Sequence, residues 1–86
     1  MLTEKQVNDF KNTEEESTDS AELRDLAENI SEAGDKEWAR KVYKKAEEKV
    51  EDVDGFQELA EDIADTDYLG DKEWARELYK KAEEKL

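Results

Sequence analysis

Residues 34–50 read GDKEWARKVYKKAEEKV, and residues 70–86 read GDKEWARELYKKAEEKL. The two stretches differ only at Lys41/Glu77, Val42/Leu78 and Val50/Leu86. A weaker match precedes each copy, LAENI at 26–30 and LAEDI at 59–63. The weaker matches lie 33 residues apart, whereas the strong copies lie 36 residues apart. The second unit therefore has three extra residues, within Ala64–Leu69. A repeat of this length made of two amphipathic segments predicts stacked helical hairpins, each buried against its neighbours.

Every segment of the repeat carries one apolar face at helical spacing. The strong segments supply Trp38, Ala39, Val42, Tyr43, Ala46 and Val50, then Trp74, Ala75, Leu78, Tyr79, Ala82 and Leu86. The weaker segments supply Leu23, Leu26, Ala27 and Ile30, then Phe56, Leu59, Ala60 and Ile63. We therefore expect two core-facing helices in each unit, with Ala39 and Ala75 at close helix contacts.

Helix boundaries can be predicted from glycines and aspartates. Gly34 and Gly70 are expected in the left-handed conformation that ends a helix, and Asp35 and Asp71 are expected to cap the helices that follow. Asp19 with Glu22, and Asp54 with Gln57, have capping-box spacing at the starts of the weaker segments.

The amino-terminal residues extend the repeat backwards. With the 33-residue offset, Tyr43 falls on Phe10 and the EEK at 47–49 falls on Glu14–Glu16. Residues 3–16 are therefore predicted to be a diverged copy of the strong helix that packs through Val7 and Phe10; the alternative is a disordered acidic leader.

The predicted fold is all-α, with about five antiparallel helices near 3–16, 20–33, 35–50, 54–67 and 71–86. The chain is interpreted as one domain, 1–86. Residues 1–18 form an N-terminal cap helix and linker, 19–50 the first repeat and 51–86 the second.

The repeat resembles the tetratricopeptide repeat, with Sel1-like repeats as a near relative. The family pattern has Leu, a small residue and a large apolar residue in helix A, then Gly-Asp, then Ala, an aromatic residue and Ala in helix B. The matching positions are Leu26, Ala27, Ile30, Gly34, Asp35, Ala39, Tyr43 and Ala46 in the first unit, and Leu59, Ala60, Ile63, Gly70, Asp71, Ala75, Tyr79 and Ala82, across the insertion, in the second. The proline that often follows helix B in the family is absent.

The composition argues against several functions. The 86 residues include no His and no Cys, which removes imidazole acid-base chemistry, thiolate nucleophiles and Cys/His zinc sites. A net charge of −13 disfavours nucleic acid and anionic membranes. We expect a soluble, cytoplasmic, non-enzymatic protein without a cofactor.

One loop has a partial cation-binding pattern. Asp65, Asp67, Gly70 and Asp71 resemble the start of an EF-hand loop. Leu69 and Arg76, however, occupy the fifth and twelfth positions, where oxygen ligands belong. A weak divalent-cation site near residues 65–71 is therefore a minor alternative to a helix end followed by a capped helix, and no metal ligand is assigned.

The distribution of charge suggests a binding surface. From Glu51 to Leu69 there are eight acids and no Lys or Arg, whereas residues 36–50 are rich in lysine. The family resemblance implies that the A helices line a concave groove, which here would be acidic and suited to a basic peptide. The groove residues implied are Arg24, Glu28, Ser31, Gln57, Glu61 and Ala64. The alternative is that the acids serve only solubility.

The sequence therefore suggests two alternative functions. The first is a protein-protein interaction module or scaffold whose acidic concave face binds basic peptide segments. The second is a structural repeat, natural or engineered, with no ligand beyond weak self-association. The predicted dimer uses the C-terminal helix, where Trp74, Leu78 and Ala82 are expected to form an uncovered stripe.

Overall fold

The computed structural model describes residues 2–85. Within this range the chain forms five α-helices and no strand: α1 (Glu4–Glu16), α2 (Ser20–Glu32), α3 (Lys36–Lys49), α4 (Val53–Ala64) and α5 (Lys72–Glu84). The predicted all-α fold is confirmed. The predicted end of the fifth helix, at Leu86, lies outside the described residues. The principal dimensions are 42 × 26 × 13 Å.

The helices are arranged as two hairpins and one flanking helix. Helix α2 packs along α3, and α4 packs along α5; α4 also contacts α2 and α3, and α1 contacts α2. The core consists of most of the residues in the predicted apolar stripes, but Trp38 and Trp74 are only partly buried at its edge and Tyr79 is exposed. The most completely buried large side chains of the core are Leu23, Ile30, Val42, Tyr43, Leu59, Ile63 and Leu78. Ala39 and Ala75 are also buried, at 0% and 3% exposure.

Helix α1 is joined to the other helices more lightly. Thr3 and Gln6 form the expected capping box, with Thr3 Oγ1 accepting from the Gln6 amide at 3.1 Å and Gln6 Oε1 accepting from the Thr3 amide at 2.9 Å. None of its described residues is fully buried. Phe10 nevertheless packs edge-on against Trp38, with ring centroids 5.9 Å apart. The helix predicted for this segment is therefore present.

The predicted caps are correct except at α4. Asp19, Asp35 and Asp71 accept the expected amide hydrogen bonds, at 2.8, 3.0 and 3.0 Å. The N-cap of α4, however, is Asp52, whose Oδ1 accepts from the Gly55 amide at 2.7 Å, so the assignment of Asp54 as the cap is wrong. Asp54 lies in the first turn of α4. The capping-box spacing to Gln57 favoured Asp54, whereas Gly55, three residues after Asp52, has no side chain that could complete such a box.

Helix α4 ends at Ala64, three residues before the expected boundary. The Asp67 amide donates to Asp65 Oδ1 at 2.9 Å, a side-chain turn that competes with continued helix. The chain then turns back at Gly70, whose φ is +64°, and the Asp71 amide donates to the Ile63 carbonyl at 2.8 Å. Gly34 also has positive φ, +108°, as predicted.

None of the helices in residues 2–85 combines the length and apolar character required to cross a bilayer.

Candidate functional site

The six predicted groove residues differ in their exposure to solvent. Ser31 is fully buried, Arg24, Glu28 and Ala64 are half-buried, and Gln57 and Glu61 are exposed. Ala64 packs against the core. The residues that meet across the α2–α4 contact are Arg24 and Glu28 from α2 and two residues that the sequence did not single out, Glu58 and Asp62, from α4.

Arg24 is the only basic residue on α2 or α4. Its guanidinium lies 3.6 Å from Glu58 Oε2 and 4.0 Å from Asp62 Oδ1. One cation therefore faces several carboxyl groups. Because Glu58 and Arg24 are both partly exposed, the Glu58 contact is a weak surface pair.

Asp62 has the most unusual environment in this contact. Its side chain is 13% exposed, and Oδ2 has no hydrogen-bond partner within the described chain. Burial, followed by the neighbouring Glu28 carboxyl, raises the pKa of Asp62, and Arg24 offsets only part of this effect. Asp62 follows the core residue Leu59 by three positions and immediately precedes Ile63. That position at the border of the apolar stripe was the one sequence signal for it.

Two tyrosines adjoin the same carboxyl groups. Tyr43, from α3, is 0% exposed, and its hydroxyl also lacks a partner within the described part of the chain. Burial, reinforced by Asp62 and Glu28, raises the pKa of Tyr43 above its ordinary range. Tyr68, in the loop after α4, has its pKa raised chiefly by Glu28.

Ser31 holds the loop after α4. Its hydroxyl donates to the Tyr68 carbonyl at 2.9 Å and accepts from Lys36 Nζ at 2.7 Å. Lys36 also donates to the Asp67 carbonyl at 3.1 Å. At 1% exposure, Ser31 is engaged in structure and is not available to a ligand, contrary to the expectation that it lines an open groove.

Two carboxylates outside the α2–α4 contact, one on α1 and one on α3, have matching hydrogen-bond partners. Glu14 of α1 accepts hydrogen bonds from Trp38 Nε1 at 3.1 Å and from Lys45 Nζ. Burial raises the pKa of Glu14, but the bonds from Lys45 and Trp38 outweigh it, and the pKa lies below its ordinary value.

Glu47 of α3 repeats this arrangement with α5. It accepts from Trp74 Nε1 at 2.8 Å and from Lys81 Nζ, and these bonds again outweigh burial and lower its pKa. Glu14 and Glu47 are related by the 33-residue offset that placed 47–49 on 14–16 in the sequence. Both tryptophans are thus half-buried and anchored through their indole nitrogens.

A cleft of about 460 Å³ adjoins Trp74 between α3 and α5. Arg40 lies 5.9 Å from the centroid of the Trp74 ring, and its Nη1 donates to Asp71 Oδ2 at 2.7 Å. This bond and the Trp74 amide lower the pKa of Asp71. The cleft has Lys44, Glu47 and Glu77 on its walls as well. Acids and bases are mixed there, so the cleft favours no charge class of ligand.

The predicted uncovered stripe on α5 is wrong for two of its three residues. Leu78 and Ala82 are 0% and 2% exposed, because both lie in the buried stripe of the α4–α5 hairpin. Trp74 is half-buried. The exposed large hydrophobic residue on this helix is Tyr79, at 41%.

The loop from Asp65 to Asp71 does not gather a set of cation ligands. Asp65 accepts from the Asp67 amide, while Asp71 caps α5 and pairs with Arg40. Across residues 2–85, no group of three Asp or Glu side chains is placed to hold a metal ion. The cation alternative therefore has no geometric support in this range.

Comparisons with protein-family models, with curated proteins and with solved structures found no match.

Proposed function

We propose that this protein is a non-enzymatic interaction module of tetratricopeptide-like hairpins, whose acidic α2–α4 side binds basic peptide segments. The proposal is supported chiefly by the segregation of charge between two sets of helices. Helices α2 and α4 carry eight carboxyl groups in all and one base, Arg24, which is already paired. Helix α3 instead has six bases and three acids.

Within this side, the positions open to a partner are those exposed on α4. Gln57, Glu58 and Glu61 are exposed, and Glu28 is half-buried beside them on α2. The surface is short, below the roughly 1,200 Å² of a stable complex, so we expect an affinity of about 10 µM or weaker. Electrostatic attraction would then govern the association rate and the choice of partner.

The proposal is tested by NMR titration of the whole chain with a Lys/Arg-rich peptide at low salt. The first resonances to shift should be those of Glu28, Gln57 and Glu61, and added NaCl should weaken binding. The double variant Glu58→Lys with Glu61→Lys should bind at least about tenfold more weakly.

Glu77→Lys with Glu84→Lys is the matched control, because it makes the same change in net charge on α5. Equal loss of affinity in both double variants would show that only the total charge matters. Shifts confined to α3 and α5 would disprove the acidic surface.

The second candidate function is self-association through α5, and Tyr79 is the observation that favours it. An exposed aromatic side chain is a common anchor of protein interfaces. Sedimentation at millimolar concentration should detect a weak dimer that Tyr79→Ser abolishes. A strict monomer for the unaltered chain would exclude this candidate.

A further inference from the structure

Two buried polar atoms near the α2–α4 contact have no hydrogen-bond partner within residues 2–85: Asp62 Oδ2 on α4 and the Tyr43 hydroxyl on α3. Buried polar groups in folded proteins nearly always have a hydrogen-bond partner, so two neighbouring groups without one require an explanation. The two groups are coupled electrostatically: after burial, Asp62 is the largest cause of the raised pKa of Tyr43. An ionised Asp62 can only accept hydrogen bonds, whereas a protonated Asp62 can donate one.

After burial, Glu28 is the main cause of the raised pKa of Asp62, through a side-chain hydrogen bond and through its charge. Ionised carboxylates only accept hydrogen bonds, so two of them repel each other, whereas a protonated one can donate to its neighbour. Arg24 offsets only part of this repulsion, because its guanidinium is 4.0 Å from Asp62 and is also paired with Glu58.

We propose that Asp62 keeps its proton at neutral pH and donates it to the neighbouring Glu28 carboxyl group, and that this hydrogen bond holds α2 against α4. Loss of the proton leaves two carboxylates opposed across the contact and weakens the packing of the two hairpins. The site is thus a pH-sensitive joint between the hairpins. It goes beyond the proposed peptide binding and does not depend on it.

The groups around the pair come from every element that packs there. They are Arg24 and Asp25 of α2, Tyr43 of α3, and Tyr68 in the loop after α4. Glu58 of α4 contacts Arg24. Arg24 is the only cation among them, and the surrounding acids add to the repulsion. The environment therefore favours retention of the proton.

The direction of the pH effect follows from proton linkage. The pKa of Asp62 is raised from 3.8 to about 8 in the folded chain, so between these values the folded state holds a proton that the unfolded state has lost. Stability should therefore be greatest near the lower value and should fall as pH rises through about 8. The chain has no His, so few other groups titrate in this window.

The first experiment follows the side-chain carboxyl carbon of Asp62 by NMR from pH 3 to pH 10 in the unaltered chain. The expected midpoint is about 8. A midpoint near the ordinary value of 3.8 would overturn the proposal, whatever any variant does.

The second experiment compares thermal unfolding between pH 5 and pH 9. The melting temperature of the unaltered chain should fall across this range. It should stay nearly level in Asp62→Asn, which has no proton to lose, and it should fall normally in Glu61→Gln, which removes an exposed acid one residue away. Glu28→Gln should move the Asp62 midpoint to lower pH, since an amide donates to an ionised carboxylate. An equal fall in the Asp62→Asn variant and the unaltered chain would refute the joint.

Discussion

Tyr43 and Tyr79 occupy the same position in the two copies of the repeated helix, yet Tyr43 is 0% exposed and Tyr79 is 41% exposed. Tyr43 lies in α3, which α4 of the next hairpin contacts. Helix α5 has no such neighbour among the described residues. Nearly identical local sequence therefore yields a core residue in one unit and a surface residue in the other.

Removing the Tyr43 hydroxyl should stabilise the protein. The hydroxyl is buried and unpaired, so Tyr43→Phe should raise the free energy of unfolding by about 1 kcal/mol. Tyr79→Phe is the matched control and should leave it unchanged. Urea denaturation of both variants measures the effect. A loss of stability in Tyr43→Phe would show that the hydroxyl has a hydrogen bond after all.

Enlarging the alanines at the helix contacts should be destabilising. Ala39→Leu and Ala75→Leu insert three carbon atoms where no space remains, and each should cost about 1 to 3 kcal/mol. Lys44→Leu, at an exposed position of α3, serves as the control. Thermal unfolding provides the measurement, and unchanged melting temperatures for both alanine variants would contradict the close packing.

The Glu47 contact should be lost in acid. Because hydrogen bonds from Lys81 and Trp74 lower the pKa of Glu47, its contribution to stability is present above the ordinary value of 4.5 and disappears as pH falls through the folded value. Glu47→Gln should therefore destabilise the chain by about 1 kcal/mol at pH 7 and by almost nothing at pH 2.

Urea denaturation at the two pH values tests this prediction. Glu48→Gln, at an exposed neighbouring position, should have little effect at either pH. A Glu47→Gln penalty that is the same at both pH values would mean that the ionised carboxylate contributes nothing.

Ser31 should matter through its hydroxyl. Ser31→Ala removes the bond to the Tyr68 carbonyl and the bond from Lys36, and it should cost about 1 to 2 kcal/mol. Lys36→Met, which keeps the Tyr68 bond, should cost less. Chemical denaturation at neutral pH measures the loss of stability in the two variants. Equal losses would mean that the stabilisation comes from the hydrogen bonds of Lys36 and not from the bond between Ser31 and Tyr68.

Much of the fold was predictable because its determinants are local. Asp35 and Asp71 could be recognised as caps from the repeated GD pair, and the stripes through Tyr43 and Leu78 fixed the helix faces. The three-residue insertion obscured the end of α4, because the Asp65 side chain offers the backbone a turn that competes with helix. That competition depends on energies too similar to resolve from residue types.

The candidate site was less predictable because it depends on how one hairpin is rotated against the next. The 33-residue offset makes Glu28 and Glu61 equivalent positions of α2 and α4, and both were predicted to line one groove. Adjacent helices touch through different faces, however, so Glu28 meets Asp62 instead. The rotation of one hairpin against the next cannot be predicted from a local sequence pattern.

The loop after α4 is held through its main chain. Ser31 and Lys36 bind the carbonyl oxygens of Tyr68 and Asp67, which every residue type supplies. These two hydrogen bonds therefore tolerate substitution at 67 and 68, whereas deletion of a single residue would displace both carbonyls. The positions of these two carbonyl groups therefore depend on the length of the inserted segment more than on its composition.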